Sequence, residues 1–327
     1  MHLDYIIGNS DTSYKGLIRS YADDPSTTGS FADDGSDYSQ QELLNAVNME
    51  HKHLFTTIRN LCEDWFMRNW VFATVANQYK YLMPRELINQ RSVEFLKSAG
   101  VSGSSPNYVV DETAADPSEV QEVHISAKDN LRYYTSSNRV IRTNGYYMYD
   151  DYIHFLQDSR IGSSTYGRIY YLPTAPDLHR AVAASGTAST IVLGTNGAAT
   201  TLGYIHNVDN YYQNMYIEIF SGIGEGQIRK ISSYDGATKT ATVDPDWTTT
   251  PDSTSVYSIV SPIKEDFQEL LALGAVMRMK GIKIEDDVNI VAQLYGALMT
   301  SMVEALESRN RQAPRRVVST QRSGVWY

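Results

Sequence analysis

The 327 residues include 42% hydrophobic and 20% charged side chains and carry a net charge of −10. That is enough apolar material for packed cores, and the wrong sign for a protein whose main task is gripping nucleic-acid phosphates. A single cysteine, Cys62, excludes an intramolecular disulfide and a cysteine-cluster zinc site.

The longest apolar runs, Val71–Ala76 and Leu270–Met277, fall far short of the roughly 18 residues a membrane span requires. Met1-His2-Leu3-Asp4 has no basic region ahead of an apolar one, so a soluble, cytoplasmically assembled protein is expected. Twenty-four tyrosines against eight phenylalanines favour half-wet sheets and interfaces over dry cores, and nine of them fall between Tyr133 and Tyr171.

Residues 1–38 read as an acidic arm, with turn formers at Asp23-Asp24-Pro25 and Asp33-Asp34-Gly35. A calcium loop starting at Asp33 would close on a glutamate at its twelfth position, where Leu44 stands. Ser39-Gln40-Gln41-Glu42 is a capping box and opens a helix. Leu43, Val47, Leu54, Ile58, Leu61 and Trp65 recur along one face of that helix, predicting a buried stripe over about 27 residues. Cys62 lies beside the stripe and reads as a packed core thiol. His51 and His53 point about 200° apart around the helix and cannot chelate one ion.

Trp70–Ala76 is β-branched and aromatic and reads as a strand, followed by Tyr79–Pro84. Ser102–Pro106 and Asp116-Pro117-Ser118 read as loops. Asn144-Gly145, between Arg139–Arg142 and Tyr146–Tyr149, predicts a hairpin, and Arg168–Pro173 closes the set.

Residues 180–260 are rich in Thr, Ser and Gly. Short strands are expected at Thr190–Leu193, Met215–Ile219, Gln227–Ile231 and Thr240–Val243, which reads as an inserted small β-sandwich or barrel. Ser261-Pro262 restarts helix, with Phe267, Leu270, Leu271, Gly274 and Met277 on one face and Gly281 as the stop. Glu285-Asp286-Asp287 opens a last helix whose inner face carries Val288, Val291, Leu294, Tyr295, Leu298, Met302 and Leu306. The fold class expected is therefore α+β: a bundle of the N- and C-terminal helices with antiparallel hairpins, and an all-β insert. Its divisions are the arm 1–38, a core of 39–179 and 261–308, the insert 180–260 and a tail 309–327.

No metalloprotease His-Glu-x-x-His, Walker loop or Gly-x-Ser-x-Gly elbow is present. Gly222-Ile223-Gly224-Glu225-Gly226 leads into a strand pattern instead of a helix, so it reads as a hairpin turn. Asp150, Asp151 and His154 are raw material for acid–base catalysis, with solvated strand-edge charges the preferred account. The tail holds Arg309, Arg311, Arg315, Arg316 and Arg322 and ends in Trp326-Tyr327, the residue types enriched at protein interfaces.

The order of these parts resembles the head-to-tail adaptor (connector) family of tailed bacteriophages. The likeness is carried by the opening helix through Trp65 with Trp70-Val71-Phe72 and Tyr79–Pro84, by Arg168–Leu178, and by Pro262–Ala275 with the second helix and arginine-bearing tail. The resemblance implies a virion protein at the neck, a ring of about twelve copies extending the DNA channel beneath the portal protein. It implies tail attachment below through a nozzle, tube or fibre protein, passage of double-stranded DNA without specific binding, and no membrane. Arg309, Arg311, Arg315, Arg316, Arg322, Trp326 and Tyr327 would form the portal-docking arm. Leu43, Val47, Leu54, Ile58, Leu61, Trp65, Phe267, Leu271, Leu294 and Leu298 would pack the ring helices, and no enzyme activity, cofactor or metal is expected. The alternative is a tail-associated glycan- or host-surface-binding protein, and a third reading is a hydrolase centred on Asp150, Asp151 and His154.

Overall fold

The computed structural model describes residues 39–62, 65–105, 107–122, 145–156, 161–162, 165–283 and 288–312, together with residues 6, 7 and 18. Helix α1 (Gln40–Leu61) starts as its capping box dictates: the Glu42 amide donates to Ser39 Oγ at 3.3 Å and the Ser39 amide to Glu42 Oε2 at 2.8 Å. Leu43, Val47, Leu54 and Ile58 are buried along it, with Leu44 and Phe55 beside them. The helix stops short of Trp65 because Cys62 leaves helical geometry, at φ −134° and ψ 82°. Leu61 and Trp65 are partly buried against the same core.

Two seven-stranded sheets follow. The first has the order β1-β9-β3-β6-β7-β8-β2. Its strands are β1 (Arg68–Ala73), β2 (Lys80–Leu82), β3 (Leu87–Lys97), β6 (Ser118–Glu122), β7 (Gly145–Tyr149), β8 (Tyr152–Phe155) and β9 (Thr165–Pro173). All neighbours are antiparallel except β6 and β7. Phe72, Phe95, Phe155, Ile153 and Ile169 fill its core, with the Phe95 and Phe155 rings 5.0 Å apart. A separate hairpin, β4 (Val101–Ser104) and β5 (Asn107–Val110), is tied to this sheet through the helical turn Glu112–Ala115. The buried Arg168 guanidinium of β9 donates to Glu94 of β3 at 2.6 Å and to Glu112 of that turn at 2.5 Å.

The second sheet runs β10-β16-β13-β14-β15-β12-β11. It is built from β10 (Arg180–Val182), β11 (Ser185–Gly186), β12 (Thr190–Val192), β13 (Tyr216–Ser221), β14 (Ile228–Asp235), β15 (Thr240–Asp244) and β16 (Val256–Val260). The Gly222–Gly226 stretch is the turn from β13 to β14, with φ near +85° at Gly222, Gly224 and Gly226, which glycine adopts without steric cost.

Helices α2 (Glu269–Lys283) and α3 (Val288–Gln312) follow, and α1 packs on both. One apolar cluster runs from Leu43, Leu54, Leu270, Leu271 and Met302 of the helices into Ile191, Ile217, Ile231 and Tyr257 of the second sheet, and it also takes in Ile6, Ile7 and Ile18. No helix of the described residues is long and apolar enough to cross a membrane.

The expected α+β fold based on a helical bundle is corrected by these sheets: the chain is mostly β, 36% strand against 28% helix. The strands between residues 87 and 122 make the difference. In β3 only Val93, Phe95 and Leu96 are buried, while Asn89, Gln90 and Arg91 carry polar side chains, so the period-2 signal is confined to one end. Ser102–Ser104, expected as loop, lies in β4 because Gly and Ser there pair through backbone with β5.

The second helical segment also starts later than expected. The Ser261 hydroxyl accepts from the Ile263 amide at 3.2 Å, and Gln268 Nε2 donates to the Ile263 carbonyl at 2.8 Å. These bonds hold the stretch after Pro262 in a non-helical path until a 3-10 turn at Glu265–Phe267. Gly281 lies within α2 and does not stop it. The Arg139–Asn144 half of the expected hairpin and Glu285-Asp286-Asp287 lie outside the described residues, and Gly145 begins β7.

Candidate docking surface

Helix α3 is the element that delivers the arginine-bearing end. Tyr295, Leu298, Met302 and Leu306, spaced by three and four, face the core, and Met302 and Leu306 are buried. Leu294, expected on that inner face, is 41% exposed, because it sits one position, about 100°, off the seam set by Tyr295. Ile290, four residues earlier on the same outer side, is 77% exposed. The helix thus offers an apolar outer strip, exposed at Ile290 and Leu294. Arg309 and Arg311 lie in its last turns, whereas Arg315, Arg316, Arg322, Trp326 and Tyr327 lie outside the described residues. Of the ring-packing set, Leu43, Val47, Leu54, Ile58 and Leu271 are buried, and Leu61, Trp65, Phe267 and Leu298 are partly so.

A buried carboxylate fixes how α3 sits. Glu50 of α1 is 2% exposed. Its Oε2 accepts from Arg278 of α2 at 2.9 and 2.8 Å, and its Oε1 accepts from Tyr295 of α3 at 2.6 Å. His53 Nδ1 lies 3.3 Å from the same Oε1. Gly274 of α2 makes room: a Cβ there would fall 2.3 Å from Glu50 Cδ. Burial, then the bond to Glu50, pushes the Tyr295 hydroxyl above its ordinary pKa. This clamp joins three helices, and sequence reasoning missed it. The one signal available was a glutamate placed on the apolar stripe of α1, between Val47 and Leu54.

A second polar knot joins α1 to the segment linking the two sheets. Asp177 Oδ1 meets Lys52 Nζ at 2.6 Å, and its Oδ2 lies 3.2 Å from His206 Nε2 and accepts from Tyr211 at 3.3 Å. Burial works to raise the Asp177 pKa, but the bonds from His206 and Lys52 outweigh it and hold the carboxyl well below the usual range. Asn48 closes the junction, donating to the Leu178 carbonyl at 3.0 Å and accepting from its amide at 2.7 Å. His51 and His179 are buried nearby, and burial lowers them to about 4 and about 3. Asp177 and His206 are 29 residues apart, a distance no local pattern reveals.

Asp150 and Asp151 occupy the exposed β7–β8 turn, Asp150 at φ +58°, and the His154 ring stacks on Tyr147 at 4.8 Å. The two carboxylates are therefore in solvent, but at a hairpin turn and not at the sheet edge expected for them. Cys62 is buried, and its Sγ lies 3.7 Å from the Leu306 carbonyl of α3. Among the described residues no cluster of three or more His, Cys, Asp or Glu is placed to hold a metal ion.

No protein-family model matches the chain, and no curated protein matches it in sequence. Function therefore has to be read from the chain's own residues.

Proposed function

We propose that this chain is a structural head-to-tail adaptor of a tailed phage, a ring subunit beneath the portal that extends the DNA channel and carries the tail attachment surface. The observation that carries the reading is α3: one face is held in the core by Met302, Leu306 and the Glu50 clamp, while Ile290 and Leu294 stand exposed. The helix then leads into a segment with five arginines, a tryptophan and a tyrosine between residues 309 and 327. An apolar strip followed by arginine and aromatic side chains is the composition of a protein docking arm. The net charge of −10 supports the same reading, since an acidic ring lets DNA slide where a basic one would grip it.

The reading is tested by removing residues 309–327, which follow Leu306, the last buried side chain among the described residues. The truncated chain is expected to keep its circular dichroism and unfolding midpoint and to lose co-sedimentation with the portal ring of the same phage. Equal co-sedimentation of truncated and full chains would contradict the docking assignment. A trimer that binds host polysaccharide would replace it with the tail-protein reading.

A further inference from the structure

Strand β1 is the outermost strand of the first sheet and pairs with β9 alone. The Thr74 amide donates to the Thr165 carbonyl at 3.1 Å, which marks that pair as hydrogen-bonded. By the alternation of an antiparallel ladder, the backbone N–H and C=O of Asn69, Val71 and Ala73 point away from β9. Such an edge is a template for another strand.

Two clefts lie along the edge, and Asn210, from the segment before β13, lines both. Trp70, stacked on Phe72 at 4.3 Å, shares the first cleft, of about 230 Å³, with Glu86 and Asp209. Tyr108 packs on Tyr166, the neighbour of Ala73, and shares the second, of about 260 Å³, with Val109. Asn69 and Val71 border both.

Glu86 is 6% exposed. Its Oε1 accepts from the Tyr171 hydroxyl at 3.3 Å, while its Oε2 has no hydrogen-bond partner among the described residues. A buried, unpaired acceptor of this kind is costly and calls for a donor. Arg68 Nη1 donates to the Asn210 and Tyr211 carbonyls, at 3.0 and 3.2 Å, and the Arg68 charge acts on Glu86 without bonding its Oε2.

The geometry points to β1 as a docking edge for an extended, basic segment of a partner protein, which adds as an antiparallel strand. An arginine of that segment enters the Glu86 cleft over the Trp70 ring, and the flanking β-branched side chains enter the Tyr108–Val109 cleft. Charge selects the occupant: two carboxylates, Glu86 with its orphaned oxygen and Asp209, and an indole face suit a guanidinium. The backbone ladder supplies affinity, and the alternate side chains supply specificity.

The test uses the full chain and the capped peptide Thr-Val-Arg-Val-Thr, with Trp fluorescence and calorimetry as readouts. The two valines lie opposite outward-facing residues of β1, so their amides bond the edge, whereas the arginine amide faces solvent. N-methylation of the valine amides is expected to abolish binding, and N-methylation of the arginine amide to leave it unchanged. Glu86→Gln, or glutamine in place of the peptide arginine, is expected to weaken binding about tenfold, and the two changes together by little more than either alone. No binding would overturn the proposal. So would equal binding of all N-methylated forms, which would reveal surface charge attraction only. Failure here leaves the neck reading untouched, because that reading is decided by portal attachment.

Discussion

Gly274 and Glu50 form a matched pair, one residue lacking a side chain where the other places a buried carboxylate. Gly274→Ala is expected to cost about 2 kcal/mol, since its Cβ would press on Glu50 and displace it from Arg278 and Tyr295. Tyr295→Phe removes one bond to that carboxylate and is expected to cost about 2 kcal/mol. Urea unfolding measures both, and a loss below half of either figure would show that the clamp does not hold α3. The buried histidines set the response to acid. His51 and His179 ordinarily titrate at 6.5, but in the fold only at about 4 and about 3. Between those values the unfolded chain binds the extra protons, so stability falls as pH drops below 6.5, by up to about 1.4 kcal/mol per pH unit for each histidine. The fall levels off for His51 near pH 4 and for His179 near pH 3. Asp177, whose folded pKa is depressed, adds its own loss only below its ordinary value of 3.8. Unfolding midpoints measured from pH 7.5 to 4.5 should show the slope, and His51→Leu should roughly halve it; a flat profile would contradict the assignment.

At the level of elements, β1 and β9 depend on a glycine. Gly167 lies directly opposite Phe72, and a Cβ there would fall 2.2 Å from the Phe72 ring. Gly167→Ala is therefore expected to cost about 3 kcal/mol by expelling that ring from the first core, visible as a lower thermal midpoint with loss of near-ultraviolet dichroism. The amino-acid order announced some elements clearly. The α1 cap, a strand expected at Trp70–Ala76 and found at Arg68–Ala73, and the short strands of 180–260 were legible because each rests on local chemistry: a Ser-x-x-Glu box, β-branched runs, glycine turns. The long β3 was not, since its polar half is held by pairing with β9, whose residues lie about 80 positions away. The start of α2 was misplaced for a similar reason, as Gln268 reaches back to Ile263 and delays a helix that Ser261-Pro262 would otherwise open. The Glu50 clamp and the Asp177 knot were equally hidden, because their members meet only through the tertiary fold.

On the scale of the whole molecule, the helices do not form a bundle that carries appended sheets. They share one apolar cluster with the second sheet, while the first sheet keeps a core of its own. Arg68 bridges the two, donating to the carbonyls of Asn210 and Tyr211. Arg68→Met would keep much of the side-chain volume while removing those bonds, and is expected to separate one thermal transition into two. A single unchanged transition would show that other contacts couple the sheets. Helix α3, which carries the exposed strip, packs into the cluster shared with the second sheet and not into the aromatic core of the first.

The most direct measurement is electron microscopy of the full chain mixed with its portal ring. The account predicts a second ring, about twelve copies, seated coaxially on the portal and dependent on residues 309–327. Bare portals beside a solitary chain in solution would contradict it.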